Sequence, residues 1–434
     1  MNDLITKLEA NYIGLALMED KQAYEDRKQL ALSKVKEMTA VDGLVCTKFL
    51  HEFVEFFNDG HLFVINQPKY EEEKLAEVEA LRTKRSIDVQ QALTNLTQNP
   101  NSDQLIGRWT DGRSQFLILE DGKNYAAYMI ASSDANSEIG LLKMELQRRE
   151  NDFVATYYTK KHQPLFKWGN CYKDGTLLRL SGGVAWSKME EGKIFQPKGV
   201  KLPTIQAIDN ENTLFTIPSF SALSYKDFRA FIKDHDKLLK NTQNLIIDIR
   251  GNTGGNAVYF TFIDLYASKN KESSQGLVLA SEDTQYYFER FAKNSPKIYQ
   301  PLVDRIKANM GEVVDGPLYP KRKYKRPKSK IENVAILTDK GCMSASESFI
   351  LLSREVSDLV TVFGQPTRGV IDYTSVFMVK LKSSGEHNLL FGFPTGTLHK
   401  RIPKDGYNEK GIQPDVFLES SVEDKVRFVI DYYK

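Results

Sequence analysis

Cysteine is scarce. Cys46, Cys171 and Cys342 are too few and too scattered for a disulfide framework, and no CxxC or His-x-x-x-His spacing suggests a structural metal. Neither a metal nor another cofactor is therefore expected. Long apolar runs are missing too: no window approaches the roughly 20 apolar residues that a helix needs to cross a bilayer. Nor does one sign of charge prevail. Basic residues number 59 and acidic ones 57, and a net charge of +2 gives no global argument for nucleic acid or a membrane surface as partner. The local exception is Lys321 to Lys330, with seven basic residues in ten; short charge runs usually need only water. The first residues, Met1 to Lys7, lack the basic-then-apolar order of a signal peptide, which taken alone reads as a cytoplasmic chain.

What is there is an ordinary globular composition, 41% hydrophobic and 27% charged, in 434 residues, enough for two or three domains at about 150 residues each. Residues 1–95 read as a helical cap. Apolar residues recur three and four apart around Ala23 to Leu32 and Phe49 to Phe57. The second run stops at the turn signal Asn58-Asp59-Gly60, and His61 stands at the corner before a strand. A charged helix, Tyr70 to Arg85, follows. Residues 107–202 carry short alternating runs punctuated by turns, which predicts an all-β module, sandwich or barrel. Its Trp109, Trp168 and Trp186 read as core, with a sugar- or peptide-binding shelf as the other option. From 203 to 434 the texture is α/β: a short apolar strand, Asn244 to Arg250, is flanked by helical runs at Tyr225 to Lys240 and Val258 to Ala267, the mark of a buried parallel sheet.

Two segments at strand ends carry the chemistry. Asp248 to Gly255 ends the buried strand, and Gly254 and Gly255 can turn the backbone sharply and aim bare N–H groups into a cleft at the strand's carboxyl end, where α/β sheets bind ligands. The stretch matches neither phosphate-loop pattern, so a plain turn and a donor to a developing oxyanion are the two readings. Gly341-Cys-Met-Ser-Ala-Ser-Glu347 lies between an apolar run, Val334 to Leu337, and a helix-like run from Ser348. Small polar residues at such a junction cap the helix or present a nucleophile above its positive end.

Leu245 to Gly255 resembles the L-I-x-D-L-R-x-N-x-G-G segment of the tail-specific, or C-terminal processing, serine proteases. Ser344-Ala-Ser-Glu347 resembles their S-A-S-E nucleophile segment, Gly364-Gln-Pro-Thr-Arg-Gly369 their G-E-P-T-x-G, and Glu409-Lys-Gly-Ile-Gln-Pro-Asp415 their closing G-I-x-P-D. Asn58-Asp-Gly-His61 looks like their D-x-H element, and the five fall in the family's order. The resemblance implies an α/β protease domain of ClpP/crotonase type at 203–434, with the N-terminal helical cap and an inserted all-β module. It also implies a polypeptide substrate, and export to the periplasm or cell envelope with the signal absent from this chain. It makes Ser344 the nucleophile and the Gly254 and Ala345 N–H groups the oxyanion donors, leaving Ser346 and Ser348 as helix-start caps.

One departure decides the branch. In the processing proteases a lysine directly after P-T-x-G activates the serine; here that position is Val370, and the Arg368 guanidinium stays protonated at any working pH. The resemblance is closer to the tricorn-core branch, whose base is a histidine supported by a serine and a glutamate. His61 aligns with that histidine and Glu409 with the glutamate, while Gly60 stands where the serine would be. Asp372 is a reserve partner for His61, and Gly255, Asp372 and Tyr373 are expected to line the site. No loop like that of PDZ peptide-binding modules is found; the β module takes its place. The expected function is a serine endopeptidase or C-terminal processing peptidase using a Ser344 acyl-enzyme, His61 as base and Glu409 as its orienter. The alternative is a degenerate member that binds a peptide or a small hydrophobic ligand in the same cleft. The oligomeric state is left open.

Overall fold

Asn-Leu-Ile-Ile-Asp has no polar alternation, and the strand it forms, Asn244–Asp248, is buried along its whole length, as a strand covered on both faces must be. The structure is a computed structural model that describes residues 1–38, 42–98, 103–134, 137–150, 152–172, 175–189, 202–325, 327–408, 410–419 and 421–434. In it, Asn244–Asp248 lies inside a six-stranded sheet with the order Thr204–Ala207, Asn212–Thr216, Asn244–Asp248, Asn333–Thr338, Val360–Gly364, Val416–Phe417. The first pair is antiparallel and every later pair parallel. Side chains alternate between two cores. Ile247, Ile336 and Val362 pack with Phe262 and Phe349 on one face, and Ile246, Leu337 and Phe363 with Val429 and Ile430 on the other. Parallel register brings the loops after Asp248, Thr338 and Gly364 out along one edge, and the candidate site is built there.

The β module is a closed barrel of eight antiparallel strands running from Gly107–Thr110 to Val184–Lys188, shut where Trp109 pairs with Lys188 and Thr110 with Ser187. Closure leaves no unpaired edge. Trp109, Phe116, Met144, Leu178 and Trp186 fill the interior, with Trp109 0% and Trp186 2% exposed. Trp168 lies against the helix Gly43–Val54, its ring 4.2 Å from that of His51. The tryptophans therefore make core and interface rather than an open shelf. Residues 190–201 of the expected module lie outside the described residues.

The boundary expected at 95 does not isolate a helical cap. Leu4, Leu8, Phe53 and Val64 share one core with Leu389, Phe391 and Phe393. The strand Phe63–Asn66 pairs antiparallel with Leu389–Thr397, which pairs in turn with Tyr373–Lys380. A lone four-residue strand with one buried face needs a partner, and this one finds it more than 300 residues away in the chain. That pairing carries His61 to the far edge of the α/β sheet. The helix expected over Val258 to Ala267 is instead two 3-10 turns, Val258–Thr261 and Ile263–Leu265; its β-branched and aromatic residues are weak helix formers.

Candidate active site

Asp339 to Ser344 reverses the chain between the strand Asn333–Thr338 and the helix Ala345–Val356. Ser344 sits at φ 57°, ψ −118°, a conformation that costs a non-glycine residue about 1–3 kcal/mol and persists only when its surroundings impose it. Glu347 imposes it. Its Oε2 accepts the Ser344 and Val370 N–H groups, each at 2.9 Å, and its Oε1 accepts the Gly369 N–H at 2.8 Å and the Thr367 hydroxyl at 2.6 Å. Burial pushes the Glu347 carboxyl up, and the four donors oppose the shift. The Ser-x-x-Glu spacing of a capping box was the sequence signal for this role, which the family resemblance used only as a landmark.

Asn252 clamps the neighbouring loop. Its side chain donates to the Ile217 carbonyl at 2.9 Å and accepts the Gly254 N–H at 2.9 Å, and its carbonyl accepts the Ser346 hydroxyl at 2.6 Å. Two expectations are corrected here. Gly254 N–H is already engaged, so it is not a free oxyanion donor. Ser346 is a buried tie between loops rather than a cap, because Ser344 itself occupies the N-cap position. Gly254, at φ 92°, serves by lacking a side chain: a Cβ there would lie 2.7 Å from the Met343 carbonyl and 2.8 Å from the Ala345 nitrogen. The Ala345 N–H heads the helix and donates to no described residue. Gly255 packs on Ser221, which a Cβ would strike at 2.1 Å.

His61 arrives from the other end of the chain. Asn58 ends the preceding turn in the left-handed region, and the Asp59 Oδ1 accepts the His61 N–H at 2.9 Å. His61 Nε2 then lies 3.1 Å from Ser344 Oγ, and Nδ1 lies 2.6 Å from the Tyr373 carbonyl oxygen. A carbonyl can only accept, so Nδ1 carries the proton and Nε2 turns its lone pair to the serine. Desolvation holds the His61 pKa below its ordinary value against the Tyr373 carbonyl and the Glu347 charge. The absent serine and the absent lysine are one packing event. A Cβ on Gly60 would lie 2.7 Å from Val370 Cγ1, so the valine fills the space a serine at 60 would need.

The remaining expected residues have other duties. Tyr373 offers its carbonyl to His61. Asp372 is buried and accepts the Tyr407 and Asn408 N–H groups at 2.6 and 3.0 Å; it holds that loop and does not orient His61, because both ring nitrogens of His61 are engaged elsewhere, on the Tyr373 carbonyl and Ser344 Oγ. Glu409 lies outside the described residues. The Gly411-Ile-Gln-Pro-Asp415 motif braces the site from behind, with the Ile412 N–H on Thr367 Oγ1 at 2.8 Å and Asp415 Oδ2 on the Val362 N–H at 2.7 Å. A cavity of about 260 Å³, lined by Tyr172, Arg250, Asp339, Lys340 and Lys425, lies between the barrel and the sheet edge and includes neither Ser344 nor His61.

Among the described residues, no group of side chains that could hold a metal includes Ser344 or His61. Elsewhere, Glu79, Glu138 and His162 bring ligand atoms within 4.8 Å of one another, but the Arg82 Nη1 stands 2.5 Å from His162 Nδ1 and already supplies the cation. Among the described residues no helix is long and apolar enough to cross a membrane.

Residues 213–418 match the model of peptidase family S41. No curated protein matches the chain. Among solved structures it is similar to mature CPAF complexed with lactacystin, at TM-score 0.51 and 11% identity over 96% of this chain and 93% of that one. It is also similar to mature CPAF, at 0.49 and 11% over 96% and 92%, and to the photosystem II D1 C-terminal processing protease, at 0.39 and 10% over 98% and 93%. At 11% identity the likeness to the first of these is one of fold alone. The family match spans the Asn252 and Ser344 loops, and with it the domain at residues 213–418 is placed as a serine peptidase domain of family S41.

Proposed function

We propose that the chain hydrolyses peptide bonds through a Ser344 acyl-enzyme, with His61 as general base and then general acid. One observation carries this reading: Ser344 Oγ, the His61 ring and the Tyr373 carbonyl form a continuous line of contacts at 3.1 and 2.6 Å. In the first step Ser344 Oγ bonds to the scissile carbonyl carbon while His61 Nε2 takes its proton. The tetrahedral oxyanion is met by the Ala345 N–H at the positive end of the helix. His61 then hands the proton to the leaving amine, and water repeats the cycle against the acyl-enzyme. A base whose pKa is held down by desolvation is already neutral at pH 7.

Fluorophosphonate labelling followed by peptide mapping tests this. The wild type should carry the adduct on Ser344 and Ser344→Ala should carry none. Lactacystin, bound in the CPAF structure, is a second probe for the same serine. An unlabelled wild type that cleaves nothing in a peptide pool would overturn the reading in favour of a degenerate binder.

A further inference from the structure

A serine–histidine pair normally leans on a carboxylate that steadies the imidazolium formed in the transition state. Here the ring's Nδ1 faces a neutral carbonyl, and the carboxylate that acts on the ring, Glu347, is already shared among four donors of the nucleophile turn. The charged group nearest in the chain is Asp59, which the steps above do not use. It is 6% exposed, its Oδ1 accepts the His61 N–H at 2.9 Å, and its Oδ2 makes no hydrogen bond of ordinary geometry. The groups that face it come from each element packed around the corner. Tyr12, from the N-terminal helices, is the side-chain donor beside the carboxyl; Asp372 and Tyr373 stand at the start of the strand that supplies the carbonyl. The Tyr12 and Tyr373 rings close over the cluster with centroids 5.8 Å apart.

We propose that Asp59 is a positioning residue for the reaction, fixing the His61 main chain and, as a carboxylate, offsetting the charge that the imidazole gains in the transition state. This rests on the peptidase reading above. A buried acid whose charge is met by only a main-chain N–H and a neighbouring tyrosine is a costly group to keep unless something uses it. Burial pushes the Asp59 carboxyl up to about 7, with the Asp372 charge adding to the rise and the His61 N–H and the Tyr12 hydroxyl opposing it. Its charge therefore appears across the neutral range. The N-terminal helices enter the chemistry by the same route, since Tyr12 helps to set where that happens.

The test compares wild type, Asp59→Asn and Tyr12→Phe, using kcat/KM on a fluorogenic peptide against pH and the carboxyl resonances of aspartate-labelled folded protein. In the wild type, kcat/KM should rise about tenfold through pH 7, beyond the lower-pH rise of His61. Asp59→Asn, which keeps the acceptor for the His61 N–H, should lose that second rise, mainly in kcat, and one resonance titrating near neutrality. Tyr12→Phe removes a donor that favours the charged form, so both the resonance and the rise should move to higher pH. A wild-type profile unchanged in Asp59→Asn, or an Asp59 resonance titrating in the ordinary carboxylate range, overturns the proposal alone. A wild type that cleaves no peptide sinks the peptidase reading and this proposal with it.

Discussion

The two halves of the candidate site are held in different ways. The nucleophile half is over-determined: Ser344, Asn252 and the 367–370 loop are bound together by the four hydrogen bonds on Glu347 and the clamp at Asn252. The base half hangs on less. His61 is fixed by one carbonyl, one buried acid and the fit of Gly60 against Val370. A strained nucleophile turn needs a dense frame, because its backbone is costly by itself; an imidazole needs only a tautomer and a direction. The first half lies within a single sheet edge, whereas the second is assembled from Tyr12, His61 and Tyr373, which are far apart in the chain.

The comparison can be broken most forcefully at Glu347. Glu347→Ala strands three buried N–H groups and a hydroxyl, and should cost about 3 kcal/mol or more in chemical denaturation while abolishing turnover. A stable, active variant would show that the nucleophile turn does not depend on this clasp. Gly254→Ala is expected to cost about 1–3 kcal/mol, from its positive φ and the 2.7 and 2.8 Å approaches, and to lower kcat more than it raises KM. On the base side, Gly60→Ser should be destabilising through overpacking against Val370, by about 1–3 kcal/mol. Combining it with Val370→Ala should recover part of the loss, with a coupling of about 0.5–3 kcal/mol. Strict additivity would mean that the two positions do not share one space. The smallest effect is a pH slope. Asp59 has its folded pKa raised from 3.8 to about 7, so the stability tied to its proton is present below the lower value and lost as pH climbs to the upper one. Asp59→Asn should therefore gain stability relative to wild type across that window and level off above it, as read by thermal melts at fixed ionic strength.

The nucleophile half was legible in the sequence because it is local. Ser344, Glu347 and the Asn252 to Gly255 loop each lie within a few residues of the end of a buried apolar strand, and the strand pattern places them at one edge. The sheet, the β module and the corner at His61 were legible for the same reason. What the sequence did not disclose depends on contacts between distant segments. Tyr373 serves through its main chain, which any residue type supplies. Asp59 appeared as half of a D-x-H element with no role, since its burial is created by Tyr12 and by the strand Tyr373–Lys380. Gly254 reads as a donor through the family resemblance and its place at the strand end, whereas the acceptor that engages its N–H is Asn252, two residues earlier in the same loop. The helical cap was drawn as a separate unit because the pairing of Phe63–Asn66 with Leu389–Thr397 spans most of the chain.

The central claim is that His61 is the base for Ser344, and the most direct measurement of it is kcat in His61→Ala on a peptide that the wild type cleaves. A general base used in both acylation and deacylation should be worth about 10³-fold or more in kcat, with KM nearly unchanged, the fold intact by circular dichroism and the acid limb of the pH profile gone. A His61→Ala variant that turns over at the wild-type rate with the same acid limb would contradict the account and require another base for the serine.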